Sequence, residues 1–327
     1  MKQTFGTALS RVALNGLFVI EDKIKISVVI VNYNTREMTL ECLRAAILAL
    51  DGFRSEIIVV DNASIDGSVA AIRVCYPEVR IVVNKRNAGF GSANNLGMKI
   101  AKGETFLLLN SDAFPRRNAI SLLSDFLASN PNAGIVGPRL LNADGTLQIS
   151  CHAFPSPCYA WLENLGLSRG YSRWPHDALR RVDFVVGACM LVRRTVFENL
   201  GGFDERFFMY AEEADWQRRM RDSGWEVFFL PSAFVTHLGG ASSASGNGDM
   251  NRHMFDSLDI YLRKHHGVLG LLSLRCAMLA GCMLRSIGWG LAMLRPDLRE
   301  TARKKFRLHI QLLIRQATSW GILFRGR

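Results

Sequence analysis

Residues 26–31 of the chain read ISVVIV and run directly into the polar turn Asn32-Tyr33-Asn34. An unbroken apolar run is typical of a strand buried on both faces of a parallel sheet, because a half-exposed strand alternates apolar and polar residues. Similar buried strands are predicted at 56–60, 79–83 and 105–109, with helices at 36–50, 66–75 and 89–101 between them. This alternation predicts a doubly wound, mostly parallel α/β sheet that binds ligands at the carboxyl ends of its strands.

The pattern changes after about residue 135, where strands become shorter and loops longer. The segments that follow are a short strand at 135–138, a loop-rich region at 142–182, a strand at 182–192 interrupted at Gly187, a helix at 207–224, a strand at 225–230 and a Gly/Ser-rich loop at 237–248. From Asp249 onward the sequence is predominantly helical in pattern. We therefore predict an N-terminal extension at 1–23, an α/β domain at 24–248 and a helical tail at 249–327.

The excess positive charge lies in the tail. The 327 residues include 40 Lys and Arg and 29 Asp and Glu, a net charge of +11, and this whole excess falls between Arg263 and the C-terminus. Apolar residues make up 49% of the chain and charged residues 21%, a composition that supports a large core and excludes global disorder. A neutral body with a basic tail predicts that the tail faces an anionic partner, such as lipid or nucleic acid.

The cysteines and the N-terminus predict a cytoplasmic protein. Seven cysteines are scattered without CxxC spacing, which is typical of reduced thiols in the cytosol. The apolar stretch at 12–20 is interrupted by Asn15 and Gly16 and lacks a small-residue cleavage pattern. It therefore favours a strand or a surface helix over a signal peptide.

Polar residues follow three of the buried strands, at the point where each strand ends. Asp61 follows the second strand, residues 87–95 follow the third and Asp112 follows the fourth. Because the carboxyl ends of parallel strands lie at one edge of the sheet, these residues are expected in a single cleft. Asp61 alone is equally consistent with a helix cap, but the three clusters together favour a ligand site.

Residues 87–97 (NAGFGSANNLG) begin like a dinucleotide-binding fingerprint, with small residues opening a helix. Backbone N–H groups at such a helix start are suited to receive a phosphate. The stretch follows the third strand instead of the first and lacks the expected acidic partner, which argues against a dehydrogenase. A close approach of this backbone to a nucleotide is still predicted.

Asp112 is a candidate metal ligand because it follows a very apolar strand, through Asn110-Ser111. A carboxylate at that position is suited to hold Mg²⁺ or Mn²⁺ against a pyrophosphate. A single carboxylate needs a second protein ligand, and His237 in THLGG (236–240) is the best candidate. An imidazole ligand favours Mn²⁺ over Mg²⁺. The alternative for His237 is a purely structural role.

Glu212, Glu213 and Asp215 form an acidic cluster between the aromatic run FFMY (207–210) and the basic residues that follow it. One interpretation is a solvated helix start, where carboxylates interact favourably with the helix dipole. The other is a catalytic base, because aromatic surroundings desolvate a carboxylate and raise its pKa toward values useful for proton transfer.

These motifs, taken in order, resemble family 2 glycosyltransferases, and in particular their rhamnosyltransferase-like branch in bacterial surface polysaccharide synthesis. The matching stretches are VVIVNYN (28–34), VVDNAS (59–64), NAGFGSANNLG (87–97), LLLNSD (107–112), GGFDERFFMYAEEAD (201–215) and HLGGAS (237–242). The resemblance covers about residues 24–245 and implies a GT-A fold. It implies transfer of a sugar, with rhamnose as the candidate, from a nucleotide-diphosphate donor to a saccharide or polyprenyl-linked acceptor.

The resemblance also assigns roles residue by residue. The donor's nucleotide is expected to contact Asn32, Asn34, Asp61, Asn87, Gly89 and Ser111, with Asp61 at the base. Asp112 corresponds to the last aspartate of the DXD metal motif, whose first position is Asn110 here, and His237 to the family's metal-binding histidine. The paired acidic motif appears as Glu212-Glu213. It implies an inverting mechanism with Glu213 as the base and Glu212 as the alternative. Asp215 and Gly187 are placed on the acceptor side, and for Asp215 a role in orienting its neighbours or in packing is favoured over direct contact with the acceptor.

The tail is predicted to be a basic amphipathic extension. Arg275 and Arg285 interrupt the apolar stretch at 267–294, so a single membrane pass is disfavoured. Apolar positions from Phe306 to Phe324 repeat at helical spacing opposite basic residues at 303–307, which predicts peripheral binding to the anionic inner face of the cytoplasmic membrane. The alternatives are packing against the α/β domain and contact with a partner in a homodimer. Nucleic acid is not an expected partner, because no nucleic-acid module is present.

Two other functions remain open at the level of sequence. A sugar-phosphate nucleotidyltransferase shares the α/β framework but needs a Gly-rich loop with Arg and Lys after the first strand, where this chain has Asn32-Tyr33-Asn34. A non-catalytic nucleotide-sugar-binding protein is consistent with the departures from the family motifs at Asn110 and Glu213.

Overall fold

The computed structural model describes residues 24–167, 174–239 and 250–318. The N-terminal extension at 1–23, the predicted Gly/Ser-rich loop beyond Gly239 and Phe324 of the tail lie outside the described residues.

Twelve strands and nine helices occur in the described part of the chain. The strands are β1 (Ile26–Asn32), β2 (Ser55–Asp61), β3 (Arg80–Val83), β4 (Thr105–Asn110), β5 (Ala113–Pro115), β6 (Ala133–Leu141), β7 (Leu147–Gln148), β8 (Cys151–His152), β9 (Arg180–Val182), β10 (Phe184–Val185), β11 (Cys189–Arg193) and β12 (Glu226–His237). The helices are α1 (Arg36–Ala49), α2 (Ser68–Cys75), α3 (Phe90–Ile100), α4 (Ala119–Ser129), α5 (Pro157–Asn164), α6 (Arg194–Leu200), α7 (Glu212–Asp222), α8 (Met250–Ala292) and α9 (Arg299–Thr318).

The central sheet has the order β3-β2-β1-β4-β11-β6-β12-β5, and the predicted α/β architecture is confirmed. The first four strands are parallel to one another, as their unbroken apolar runs predict. The second half of the sheet is mixed, because β11 runs antiparallel to both β4 and β6 while β12 is parallel to β6. The carboxyl ends of β1, β2 and β4 therefore share one edge with the carboxyl ends of β6 and β12.

Alternate residues of the buried strands supply two cores. Val28 and Ile30 of β1 face α1 and α4, whereas Val29 faces α3 and the helices α6 and α7. All three side chains are completely buried. Covering both faces with helices explains why these strands carry no polar alternation.

Two sequence predictions differ from the structure in detail. The predicted strand at 182–192 is divided into β9, β10 and β11, and Gly187 lies in the interruption. The helix predicted from residue 207 begins only at Glu212, because Tyr210 and Ala211 adopt left-handed backbone conformations with φ of 70° and 60°. A helix cannot pass through such residues, so the acidic cluster falls in the first turn of α7.

The tail begins with α8, which packs on the α/β domain. Gly267 breaks α8 into two halves, with φ 67° and ψ −170°. Tyr261 of the first half and Leu271 and Leu274 of the second half share a buried cluster with Phe154 and Phe207. By length and composition alone, α8 over His253–Ala292 is a candidate for crossing a membrane.

The last helix, α9, packs back on α8. Ala302 is fully buried, and Phe306, Ile310 and Leu313 are half-buried. The apolar face predicted to meet a membrane is therefore covered in part by α8. This arrangement corresponds to the alternative in which the tail packs on the protein.

Candidate active site

A chain of hydrogen bonds joins the carboxyl ends of the parallel strands. Beyond β3, Asn84 donates to the Asn62 side chain over 2.7 Å, and the Asn62 amide donates to the carbonyl of Asn32 at the end of β1. Asn32 accepts from the Thr35 hydroxyl over 2.8 Å, and Thr35 lies 2.9 Å from the hydroxyl of Ser111 beyond β4. The structure thus brings the polar strand ends together at one edge of the sheet.

Asp61 is fully buried beneath this edge. One carboxylate oxygen accepts from the Asn32 side chain over 2.7 Å and the other from the amide of Ser64 over 2.9 Å. Ser64 in turn accepts from the amide of Asn34, whose backbone is left-handed with φ 53°. Asp61 therefore fixes the two loops that carry Asn32, Asn34 and Ser64, and its contact with a nucleotide base stays a prediction.

The glycine-rich start of α3 packs against protein. The amide of Gly89 binds the Asn87 side chain over 3.0 Å, and the amide of Phe90 donates to the Phe208 carbonyl over 3.0 Å. These two amides are therefore engaged within the protein, and the contact of Asn87 and Gly89 with a nucleotide stays a prediction. Gly91 serves the same packing purpose against Phe203.

Gly89 is required by this packing. Its φ is 86°, and a Cβ atom there would lie 2.3 Å from the carbonyl oxygen of Phe208. We expect Gly89→Ala to destabilise the protein by at least about 3 kcal/mol, through backbone strain and a clash with a fixed carbonyl. The midpoint of thermal unfolding should fall by about 4 °C or more.

Gly52→Ala is the matched control, because Gly52 has a φ of 83° and nothing within 4 Å of its Cβ position. Gly52→Ala should introduce only the backbone strain, so it should lose less stability than Gly89→Ala. Equal losses in the two variants would contradict a role for the Phe208 contact.

Asp112 and His237 lie side by side, although 124 residues separate them in the sequence. His237 ends β12 and pairs with Ala113 of β5, which places its Nε2 atom 3.3 Å from the Asp112 carboxylate. Both side chains are almost completely buried. Asn110 lies beside them, with its side-chain nitrogen 3.5 Å from the same Nε2 atom. The structure therefore brings together the two predicted metal ligands and the first position of the motif.

Gln148 orients the His237 ring, a role that the sequence analysis missed. Its side-chain oxygen lies 2.7 Å from Nδ1, while its nitrogen donates to Asn142 and to the carbonyl of His237. This contact directs Nδ1 toward Gln148 and leaves Nε2 as the ring nitrogen that faces the Asp112 carboxylate. Partners of this kind commonly fix metal-binding histidines in one tautomer.

This donor set fits a divalent cation. The Nε2 atom of His237 and a carboxylate oxygen of Asp112 lie 3.3 Å apart, close enough for one ion to contact both. Within the described ranges, no cluster of three or more His, Cys, Asp or Glu is arranged to hold a metal. An ion bound at Asp112 and His237 would therefore complete its coordination with substrate or water oxygens, as Mg²⁺ commonly does with phosphates.

Glu213 and Glu212 are differently placed in the first turn of α7. Glu213 is half-buried and lies against Gly187, whose backbone hydrogen-bonds its carboxylate. The next residue, Ala188, accepts from the amide of Asn110 over 2.9 Å, so Glu213 lies one strand away from the Asn110–Asp112 segment. Glu212 is buried and turns toward Gly91 and Phe203.

Burial changes the acidity of both carboxyl groups. It raises the pKa of Glu212 well above its ordinary value, and the adjacent Glu213 carboxylate adds to the rise. Burial also raises the pKa of Glu213, although hydrogen bonds from the backbone of Glu213 and Gly187 act in the opposite direction. One oxygen of each carboxyl group is buried without a hydrogen-bond partner. Such a pair is suited to accept a proton.

Asp215 is turned away from this pair and joins α7 to α8. One of its oxygens lies 2.7 Å from Lys264 and 2.8 Å from His265, and the other accepts from Arg219 over 3.0 Å. Burial alone would raise the pKa of Asp215, but hydrogen bonds from His265 and Lys264 and the charge of Arg219 hold it below its ordinary value. With both oxygens engaged, Asp215 holds the helix in place, and its predicted position on the acceptor side is not supported.

The loop before α7 is strained, and α8 holds it. Tyr210 and Ala211 are consecutive left-handed residues, each of which costs about 1–2 kcal/mol. Ser257 of α8 donates to the Met209 carbonyl over 2.7 Å, and His253 packs on the Phe208 ring. Lys264 also binds Asp204 at the start of this loop, over 2.7 Å. The first half of α8 therefore helps to position the acidic pair.

Comparison with known proteins identifies relatives of this arrangement. The family model described as glycosyl transferase family 2 matches residues 27–201. An N-acetylglucosaminyl-diphospho-decaprenol L-rhamnosyltransferase of Mycobacterium tuberculosis is 30% identical over 272 residues, covering 77% of this chain and 87% of the relative. A dTDP-rhamnosyl transferase of Shigella flexneri is 26% identical, covering 66% of this chain and 69% of the relative.

A solved structure shares the fold. It is a mannosyltransferase from Pyrobaculum calidifontis in complex with GDP-Man and Mn²⁺, with a TM-score of 0.50 and 18% identity. The superposition covers 90% of this chain and 86% of that one.

Proposed function

The chain belongs to glycosyltransferase family 2, and we propose that it is a metal-dependent, inverting enzyme that transfers rhamnose to a lipid-linked saccharide. Transfer of a sugar from a nucleotide donor follows from the family and its relatives. The inverting mechanism, the metal and the substrates are the proposal. The observation that carries it is the 3.3 Å approach of Asp112 and His237, one strand away from Gly187, whose backbone hydrogen-bonds Glu213.

The donor and acceptor are proposed from the relatives. Two of them are named as rhamnosyltransferases, one with dTDP-rhamnose and one with a decaprenyl-diphosphate-linked N-acetylglucosamine. We therefore propose dTDP-rhamnose as the donor and N-acetylglucosaminyl-diphospho-polyprenol as the acceptor. An acceptor of this kind places the enzyme at the cytoplasmic face of a membrane.

The proposed reaction is a single displacement. The carboxylate of Glu213 removes the proton from an acceptor hydroxyl, whose oxygen attacks the anomeric carbon of the donor sugar. The bond from that carbon to the nucleoside diphosphate breaks on the opposite face, and the diphosphate leaves with the electron pair, so the configuration inverts. A divalent ion, when bound by Asp112 and His237, supplies positive charge that stabilises the departing diphosphate.

The surroundings of Glu212 make it the less suitable of the two candidate bases. Glu212 is buried, and its pKa is raised further than burial alone would raise it, because Glu213 lies beside it. Glu212 therefore keeps its proton to higher pH than a free glutamate and is the less suitable base. The test of Glu213 as the base therefore includes Glu212 as the alternative base.

A ligand screen by thermal unfolding tests the proposal. Ligands that bind only the folded protein stabilise it by about 2.7 kcal/mol at a hundred times their dissociation constant. We expect dTDP and dTDP-rhamnose to raise the unfolding midpoint more than UDP and GDP do. The rise should be larger with Mn²⁺ than without it. Incubation with dTDP-rhamnose and the polyprenyl-linked acceptor should then yield a rhamnosylated lipid.

Two results would contradict the proposal. If no nucleoside diphosphate raised the unfolding midpoint in the presence of either Mn²⁺ or Mg²⁺, the proposed nucleotide site would be contradicted. If the product retained the anomeric configuration of the donor, the single displacement would be wrong.

A further inference from the structure

The C-terminal end of α8 exposes a cluster of apolar side chains. Five large apolar residues there, the last of them just past the end of the helix, are exposed: Met283 (52%), Leu284 (52%), Ile287 (62%), Leu291 (62%) and Leu294 (76%). We call these five residues the outer stripe. Positions separated by three, four or seven residues lie on one side of a helix, so the four residues within α8 share a face. From Met283 to Leu291 the stripe is about 12 Å long, at 1.5 Å per residue.

The part of α8 that precedes the outer stripe is fixed to the protein. Leu271, Leu274 and Ala277 are buried, and Ser273 accepts from the Trp161 ring over 3.0 Å. The arginines that interrupt the apolar sequence point into the protein as well. Arg275 binds Asp259 of the first half of α8, and Arg285 donates to the Asn164 side chain over 2.9 Å.

This fixation decides how α8 can meet a bilayer. A spanning helix would have to detach from α5 and carry Arg275 and Arg285 into the hydrocarbon, which is unfavourable for each arginine. A helix that lies in the bilayer surface keeps these contacts and buries only the outer stripe.

Positive charge flanks the stripe. Helix α9 packs beside it, with the Phe306 ring of α9 against Gly290. Arg303, Lys304, Lys305 and Arg307 of α9 are exposed. The acidic residue of its first turn, Glu300, pairs with Lys304 over 2.9 Å. Basic side chains near an anionic bilayer are attracted to its headgroups.

We propose that the outer stripe lies in the surface of an anionic phospholipid bilayer, with the exposed basic side chains of α9 against the lipid headgroups. The inference deepens the proposed function, on which it rests for the lipid-linked acceptor. A second copy of the chain is the competing occupant. It is disfavoured because the excess charge of +11 lies in this part of the chain, so a symmetric dimer along the stripe would place two strongly basic tails together.

Sedimentation with vesicles tests the proposal on the full chain. The probes are phosphatidylcholine vesicles with and without phosphatidylglycerol, and we expect the protein to sediment with the anionic vesicles only. The double variant Ile287→Asp/Leu291→Asp should bind anionic vesicles at least about tenfold more weakly, because two exposed apolar side chains no longer enter the bilayer. Arg303→Gln/Arg307→Gln should weaken binding to anionic vesicles, as should high salt.

Leu48→Asp/Val74→Asp is the matched control. These side chains are 50% and 82% exposed on α1 and α2, and the control adds the same two charges away from the stripe. It should bind vesicles as the unchanged chain does. A stripe variant that sediments normally, or a control that fails equally, would overturn the proposal.

Two further measurements distinguish the competing explanations. The outer stripe is separate from the nucleotide site, so stabilisation by nucleoside diphosphate should be unchanged in the stripe variant. Loss of vesicle binding with normal nucleotide binding supports the stripe, whereas vesicle binding without nucleotide binding would contradict the proposed function alone. If the chain were a dimer by analytical ultracentrifugation and the stripe variant a monomer with unaltered vesicle binding, the stripe would be a dimer interface and the proposal would be wrong.

Discussion

Glu213→Gln is expected to bind the nucleotide donor normally and to lose about 10²–10⁴-fold in turnover, the usual contribution of a positioned base. The substitution keeps the size of the side chain and its hydrogen bond from the Gly187 backbone but removes the ability to accept a proton. The measurement is the rate of rhamnosyl transfer at saturating donor, with donor affinity followed by thermal unfolding.

Glu212→Gln is the companion variant. It removes a buried carboxyl group that is expected to remain protonated, so it should reduce turnover much less than Glu213→Gln does. Near-normal turnover in Glu213→Gln together with an inactive Glu212→Gln would assign the base to Glu212.

The pH dependence of activity should also identify Glu213 as the base. A base must be ionised to work, and burial raises the pKa of Glu213 above the ordinary value for a glutamate. Activity should therefore be full above that raised pKa and fall as the pH decreases through it, at a higher pH than an exposed glutamate would give. Glu213→Gln should abolish this limb of the profile.

Asp112→Asn is expected to remove the response to metal. A bound ion contributes several kcal/mol of charge stabilisation to a departing diphosphate, and each 1.36 kcal/mol corresponds to a factor of ten in rate. Turnover should therefore fall by about 10²-fold or more, and Mn²⁺ should no longer increase the thermal stabilisation by nucleoside diphosphate.

Asp51→Asn is the control for this change, since Asp51 forms only a surface ion pair with Arg117. It should retain both turnover and the Mn²⁺ effect. A protein whose Mn²⁺ response survived Asp112→Asn would place the metal elsewhere.

The parallel half of the sheet was predictable because a strand that is buried on both faces consists almost entirely of apolar residues. The runs at 26–31 and 105–109 contain almost no polar residue, and both are central strands. The direction of β11 was not predictable, since a buried antiparallel strand and a buried parallel strand have the same composition. The late start of α7 was also hidden, because Tyr210 and Ala211 are not residue types that normally adopt left-handed backbone.

The site was predictable where topology alone positions a residue, and not where packing does. Asp112 and Asp61 follow strands, so convergence of the strand ends predicted that they lie at one edge. Gln148 contacts His237 from a short strand within a loop-rich region, and nothing near it in the sequence marks that contact. The packing of the glycines of 89–97 was not predictable, because a glycine that admits a neighbouring backbone has the same sequence signal as one that admits a phosphate.

The contacts of the first half of α8 with Asp215 limit how this enzyme can be shortened. A chain ended at residue 248 would lack Lys264 and His265, leaving Arg219 as the cation at Asp215 within the remaining described residues. Removing partners from a buried charge costs about 3–5 kcal/mol. Polar replacements along the outer stripe leave these contacts intact, so a detergent-free preparation for crystallisation is better sought by redesigning that surface than by deleting the C-terminus.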